Sequence, residues 1–481
     1  MPGPTPAPPG FAGRGVLVAG LGVSGRAAAH ALRVREARVT TLDARSQDAD
    51  LHADAEVDLA ATDLVIASPG WAPTSPVLVA AAARGVPVWS EVELAWRLRA
   101  ERPTGPAPWL AVTGTNGKTT TVTMLAAILT AAGLVAPAVG NVGTPVLEAA
   151  VDPANDVLAV ELSSFQLHFT HSLAAQGAAV LNVAPDHLDW HGSMAAYTAA
   201  KARIFERVTM ACVYGAQDGL VEALVREADV AEGARAVGVS LGAPAAGQIG
   251  VVDGVIADRA FHAPLDDPGR QRSAAELGTL ADLAHLAGPD GRVAPHVVAD
   301  ALAAAALARA HGVPAGAVRD GLRAYRPGAH RTELVATLDG VAYVDDSKAT
   351  NAHAAAAALG PVAIGTAVWI AGGLAKGNRF EDLVAERADR LHAVVLIGTD
   401  QEPWQQALAR HAPAIPVVRI DPADTGTVMT RAVTAARRLA RPGDTVLLAP
   451  ACASMDQFTS YAHRGAAFVD AVGRLGPPDG S

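Results

Sequence analysis

The segment Trp109-Leu110-Ala111-Val112-Thr113-Gly114-Thr115-Asn116-Gly117-Lys118-Thr119-Thr120 decides the reading of the chain. An uncharged, mostly apolar run spells a buried strand and a glycine turn follows; Val122, Leu125 and Leu129 then recur at i, i+3 and i+7, as on one face of a helix. Such a loop presents backbone N–H groups and a helix N-terminus to phosphate. Lys118 adds a point charge and Thr119 a hydroxyl suited to Mg²⁺. A strict Walker A loop would need glycine where Val112 stands, so this is a shorter form. A glycine turn before a helix can be only a cap, but Lys and Thr in register behind it favour a phosphate site.

Working outward, the strand segments 157–162 and 178–184 follow, and in open parallel sheets ligands bind beyond the carboxyl ends of strands. The first ends in Glu161, either a metal ligand beside the phosphate loop or a solvated rim residue. The second leads into Asp186-His187-Leu188-Asp189, where the imidazole is either functional or a satisfied loop residue. Lys201 shares a helical stripe with Tyr197 and Ile204, at i, i+4 and i+7. Unless it snorkels, its amine lies among apolar neighbours. A desolvated amine has a depressed pKa and can react with CO₂ to give a carbamate that binds metal.

Upstream, Gly20-Leu21-Gly22-Val23-Ser24-Gly25 follows the strand 16–20, and Asp43 ends the next strand segment, 38–43. This is a pyrophosphate turn with a carboxylate placed for a ribose hydroxyl, and alone it does not separate NAD from another diphosphate. Downstream, Asp345-Asp346-Ser347-Lys348-Ala349-Thr350-Asn351 follows the strand 341–346, and Gly372-Gly373-Leu374-Ala375-Lys376-Gly377 overlaps the end of 367–373. Two strand-end lysines suit a carboxylate or phosphate, or are solvated loop residues.

The chain has 481 residues, half of them hydrophobic, enough for roughly three domains at about 150 residues each. Proline-rich breaks at 101–108 and 324–331 divide it into 15–103, 104–327 and 328–481, with 1–14 read as a flexible tail. Within the central part, 241–295 shows no readable elements. A net charge of −10, from 38 Lys plus Arg against 48 Asp plus Glu, argues against nucleic acid or an anionic membrane as partner. Cys212 and Cys452 lie far apart in no metal-binding spacing, which argues against a disulfide scaffold or a structural zinc and points to a reducing compartment. There is neither an apolar run of about 18 residues nor a charged leader with an apolar core, so a cytoplasmic enzyme is expected.

Together GLGVSG (20–25), GTNGKTT (114–120), GNVGTP (140–145), ELSSFQL (161–167), NVAPDHLDWHG (182–192), YTAAKARIF (197–205), HR (330–331), DDSKATN (345–351) and PACASMDQF (450–458) resemble the Mur ligase family, ATP-dependent amide-forming enzymes of peptidoglycan precursor synthesis. The resemblance spans roughly 15–470, and SKATN favours the glutamate-adding member. It implies an α/β fold of three domains in series: a Rossmann-like N-terminal domain for the UDP substrate, a central P-loop ATPase-type parallel-sheet domain and a Rossmann-like C-terminal domain for the amino acid. It also implies that a monomer joins D-glutamate to UDP-MurNAc-L-Ala through an acyl phosphate.

By the same resemblance, Gly114, Thr115, Asn116, Gly117, Lys118, Thr119 and Thr120 hold ATP, with Arg331 and Asp346 from the third domain. Thr119 and Glu161 ligate one Mg²⁺, and His187 and carbamylated Lys201 a second. Lys118, Glu161, His187 and Lys201 are the expected catalytic set. UDP falls to Gly22, Val23, Ser24, Asp43, Arg45, Ser68, Pro69 and Gly70, with Asn141 and His187 towards the muramoyl side. D-glutamate falls to Lys348, Thr350, Lys376, Ser454 and Tyr461.

The chain departs from the family pattern where a helix usually begins His-Asn-x-x-Asn; here His296-Val297-Val298-Ala299-Asp300 stands. Trp190 replaces a common arginine and Tyr461 a common phenylalanine. An oxidoreductase would leave the second and third sets of motifs unemployed, and a P-loop kinase the first. A ligase using another amino acid, including L-glutamate, is the nearer rival.

Overall fold

A computed structural model describes residues 10–288, 291–375, 377, 379–423 and 426–476. The described residues form three sheets in chain order. The first contains β1 (Gly15–Ala19), β2 (Arg38–Leu42), β3 (Leu64–Ala67) and β4 (Val88–Ser90), all parallel, in the order β2-β1-β3-β4.

The second contains β5 (Trp109–Thr113), β6 (Ala138–Gly140), β7 (Leu158–Glu161), β8 (Gly177–Val180), β9 (Ala211–Gly215), β10 (Arg235–Ser240), β11 (Gln248–Val252), β12 (Val255–Asp258) and β13 (Ala275–Thr279). Their order is β13-β12-β11-β10-β9-β8-β5-β7-β6. The third contains β14 (Glu333–Leu338), β15 (Val341–Asp345), β16 (Ala367–Gly372), β17 (Leu391–Ile397), β18 (Val417–Arg419) and β19 (Thr445–Leu448), ordered β14-β15-β19-β16-β17-β18.

The expected alternation of strand and helix is present, and the strands end up to four residues before the sequence segments do. Inside 241–295 lies an antiparallel meander, β11-β12-β13, on an otherwise parallel sheet. The third sheet carries an antiparallel edge of its own, β14 on β15. The meander is fastened from behind: buried Asp258 ends β12 and pairs at 2.9 Å with Arg309 of the helix Pro295–Ala310.

The chain divides into two compact units, Met1–His285 with Pro295–Tyr325, and Leu286–Ala294 with Arg326–Ser481. In the first, two sheets share one core: Val16, Val18, Leu64, Val92 and Trp96 pack in continuity with Trp109, Leu158, Val160 and Val180. Trp96 meets Trp109 edge to face at 5.2 Å, each ring adding apolar area to a seam that the 101–108 break does not interrupt. Phe11 belongs to the same core and is 2% exposed, and Gly13 N–H donates to Glu36 O. The tail assigned to 1–14 is therefore corrected for 11–14, because one aromatic side chain supplies the burial that the proline-rich composition lacks; 1–9 lie outside the described residues. In the second unit, buried residues line both faces of the third sheet, with Trp369 and Trp404 on one and Tyr343, Phe458 and Phe468 on the other. No described helix is long and apolar enough to cross a membrane.

Candidate active site

Strand order alone brings the expected residues together. β5 lies between β8 and β7, and β7 pairs with β6, so the loop after β5, Glu161, the segment after β8 and Asn141 emerge side by side. Gly117 caps the helix Lys118–Ala131 with φ +83°, a left-handed conformation natural to glycine. A β-carbon there would also strike the carboxylate of Asp300. The aspartate that departs from the family pattern thus abuts the phosphate loop.

Lys118 Nζ donates to Gly114 O (2.8 Å) and Thr115 O (2.9 Å), and Lys201 Nζ donates to the same Gly114 O at 2.7 Å. Two lysine side-chain nitrogens converge on one carbonyl. Lys201 is 2% exposed, its Nζ 4.7 Å from the centre of the Tyr197 ring. Burial first, then the charge of Lys118, hold its pKa well below the ordinary lysine value, with Asp186 and Glu161 opposing. The snorkelling alternative is excluded: this amine points inward.

Glu161 is 1% exposed and held by side chains: Thr119 Oγ1 donates to Oε2 at 2.7 Å and Asn141 Nδ2 to Oε1 at 2.8 Å. Both partners are able to release the carboxylate to a ligand. A threonine hydroxyl beside a buried carboxylate is a hard-oxygen donor set that fits Mg²⁺. Thr115 Oγ1 lies 3.0 Å from Tyr197 Oη, and Asn116 N–H donates to Asn182 Oδ1 at 2.9 Å, tying the loop to the β8 side. His187 has φ +53° and caps the short helix Leu188–His191; its Nε2 is 3.5 Å from Asp186 Oδ2 and its ring is edge-on to Phe165 at 4.6 Å.

On the first sheet, Gly20 has φ +92°, and a β-carbon on Gly25 would collide with Gly20 O. Asp43 receives Leu21 N–H and Arg45 N–H, each at 2.8 Å, and these bonds hold its pKa below the ordinary value, that from Leu21 foremost. The carboxylate braces the glycine turn as well as facing it. Ser68 Oγ donates to Gly20 O at 3.0 Å, so the turn 68–70 belongs to the same corner, while Val23 is 73% exposed at its rim.

In the second unit β15, β19 and β16 are neighbours, which gathers 345–351, 450–454 and 372–375 at one end. Lys348 Nζ sits 3.9 Å from the centre of the Tyr461 ring, and Ser454 is buried nearby in sequence from buried Cys452. Thr350 N–H donates to Lys348 O. Asp346 is half-buried; loss of hydration pushes its carboxyl up to about 7 although Arg331 opposes this. Lys376 lies outside the described residues.

Sequence reasoning missed Arg464, which is fully buried. Its guanidinium donates to Ser347 Oγ (3.0 Å), Ser347 O (2.8 Å) and Cys452 O (3.0 Å), and burial lowers its pKa to about 10. It missed the pair His330 Nδ1–Asp345 Oδ2 at 2.6 Å as well, with the imidazole packed where a β-carbon of Gly465 would be. His330, Glu333 and Asp345 bring donor atoms within 4.8 Å of one another, a cluster already joined by hydrogen bonds.

Two family models match the chain: the Mur ligase middle domain over residues 112–253, and the Mur ligase glutamate ligase domain over 330–452. A UDP-N-acetylmuramoylalanine–D-glutamate ligase of Streptomyces avermitilis is 58% identical, covering 96% of this chain and 99% of its own; that of Streptomyces coelicolor is 56% identical over 98% and 100%. Among solved structures, a UDP-N-acetylmuramate–alanine ligase of Thermotoga maritima superposes with a TM-score of 0.56 at 16% identity, over 96% of this chain and 99% of that one. A pseudomurein peptide ligase type C of Methanothermus fervidus gives 0.56 at 17%, over 96% and 100%. These two show the fold. With phosphate loop, buried lysine and strand-end carboxylate at neighbouring strand ends, and relatives of this identity along nearly its whole length, the chain belongs to the Mur ligase family.

Proposed function

We propose that the chain is an ATP-dependent ligase that joins D-glutamate to UDP-N-acetylmuramoyl-L-alanine, giving UDP-MurNAc-L-Ala-D-Glu, ADP and phosphate. The observation that carries the chemistry is the convergence of Lys118, Lys201 and Glu161 on the loop after β5. The choice of substrates follows the names of relatives that match almost residue for residue in length.

The alanyl carboxylate attacks the γ-phosphate of ATP to give an acyl phosphate and ADP. The amine of D-glutamate then adds to the acyl carbon, loses a proton and expels phosphate. Lys118 and the N–H groups of 114–120 bind the triphosphate and spread its charge. Thr119 and Glu161 would hold Mg²⁺, with His187 and Lys201 serving a second ion. Bound Mg²⁺ would offset the repulsion between the triphosphate and the approaching carboxylate. Lys201, its buried amine held towards the neutral form, adds through Nζ to the carbon of CO₂ and releases a proton, so that an anionic carbamate takes the place of a neutral amine.

The turn 20–25, Asp43, Arg45, 68–70 and Asn141 take the UDP-sugar; Arg331 and Asp346 approach ATP; Lys348, Thr350, Lys376, Ser454 and Tyr461 take D-glutamate. The working divisions are 15–103, 104–327 and 328–481, and the protein acts as a cytoplasmic monomer.

The test is phosphate release and product mass with UDP-MurNAc-L-Ala, ATP and Mg²⁺, comparing D-glutamate with L-glutamate, alanine, diaminopimelate and no amino acid. D-glutamate-dependent mass gain with ADP is expected. ATP hydrolysis without an adduct, or an adduct with another amino acid, overturns the substrate assignment.

A further inference from the structure

Between His187 and Lys201 the chain passes through a helix of four residues, Leu188–His191, entered by a left-handed residue, His187, and left by another, Gly192 (φ +77°). So short a helix has few backbone bonds of its own: His187 O accepts from Trp190 and His191, and Leu188 O from Gly192. Its position must come from side chains. His191 supplies them. Its Nε2 lies 2.9 Å from the hydroxyl of Ser164, a buried residue three places after Glu161.

Its ring stacks on Phe165 at 5.6 Å and 15°, meets Tyr197 at 5.2 Å and rests on Trp190 at 4.4 Å. Phe165 in turn is edge-on to His187, and Tyr197 packs under Lys201 and reaches Thr115 of the phosphate loop. His191 thus touches one ring that packs on His187 and another that packs on Lys201, and hydrogen-bonds the segment that follows Glu161. None of these contacts serves the proposed chemistry directly.

We infer that His191 is a positioning residue that fixes the His187 turn and the Lys201 helix against the Glu161 strand end. The inference rests on the proposed roles of those three residues, and it assigns His191 no contact with substrate. A residue that merely filled space would lower the melting temperature when removed and leave the spacing of the site, and hence its metal dependence, unchanged.

His191→Ala, His191→Gln and Ser164→Ala are compared with wild type in two ways. The first is hydrogen–deuterium exchange of the metal-free protein; the second is D-glutamate-dependent phosphate release as a function of Mg²⁺. His191→Ala and Ser164→Ala are expected to speed exchange over 187–192, to lower kcat by about 10–100-fold and to raise the Mg²⁺ needed for half the maximal rate, with KM for D-glutamate unchanged. His191→Gln, which keeps a polar atom for Ser164, recovers most of the loss. Wild-type exchange and kcat in His191→Ala overturn the inference. So does a loss that glutamine fails to restore and that accompanies faster exchange throughout the chain. Should His191→Ala not fold, Ser164→Ala carries the same two readouts. Absence of D-glutamate-dependent release in wild type itself strikes the proposed function, whereas the exchange over 187–192 still judges the positioning role.

Discussion

The first unit contains two glycine loops of the same strand–turn–helix plan, and they treat their neighbouring carboxylates in opposite ways. Asp43, beside Gly20–Gly25, is held by the backbone N–H groups of Leu21 and Arg45. Glu161, beside Gly114–Thr119, is held by the side chains of Thr119 and Asn141. Backbone donors cannot turn away, so Asp43 is committed to the shape of its turn. Side-chain donors can rotate, so Glu161 is free to exchange them for a ligand. A strand-end acid is therefore read by what holds it as much as by where it stands.

The comparison breaks first at Glu161. Glu161→Gln preserves the size and one acceptor but removes the charge, and kcat is expected to fall by about 10³-fold with the fold intact; retention within tenfold in the phosphate-release assay would make Glu161 another structural brace.

A third acid of the same unit sharpens the contrast. Glu91 is 2% exposed, receives only Leu147 N–H at 2.9 Å, and its Oε2 has no hydrogen-bond partner among the described residues. Burial raises its carboxyl from 4.5 to about 7. The folded chain therefore binds more protons than the unfolded chain between these values, and stability falls as pH rises through that window, levelling off above about 7. Glu91→Gln is expected to add up to about 3 kcal/mol above that window and little below it. Urea unfolding at the two ends of the range checks this, and an equal gain at both ends would refute the cause given.

The smallest effect belongs to the braced acid. Asp43→Ala leaves two N–H groups without their acceptor at a cost of about 1–3 kcal/mol. Loosening the turn should raise KM for the UDP-sugar while kcat stays within about twofold. A change confined to kcat would put Asp43 in the chemistry.

The strand ends that build the site were legible because buried strands followed by glycine, lysine and acidic residues leave a local signature, as at 109–120 and 157–162. The meander of 241–295 left none: β12 ends in Asp258, a buried acid whose Oδ2 accepts from Arg309, 51 residues away. Arg464 and His191 were missed for the same reason. Their partners Ser347 and Ser164 are 117 and 27 residues distant, and no window of sequence contains both halves of such a bond. Lys201 was legible in part, because its stripe with Tyr197 and Ile204 faces inward, while the convergence with Lys118 on Gly114 O depends on strand order.

The core shared by the first two sheets also bears on how the protein is made. Chain emerges from the ribosome at about 5–20 residues per second, amino end first. Val16, Val18 and Trp96 are synthesised well before Leu158 and Val180, which cover the other side of the same core. The N-terminal sheet is thus born with one apolar face uncovered and stays so for several seconds, an interval in which holding chaperones have an obvious client.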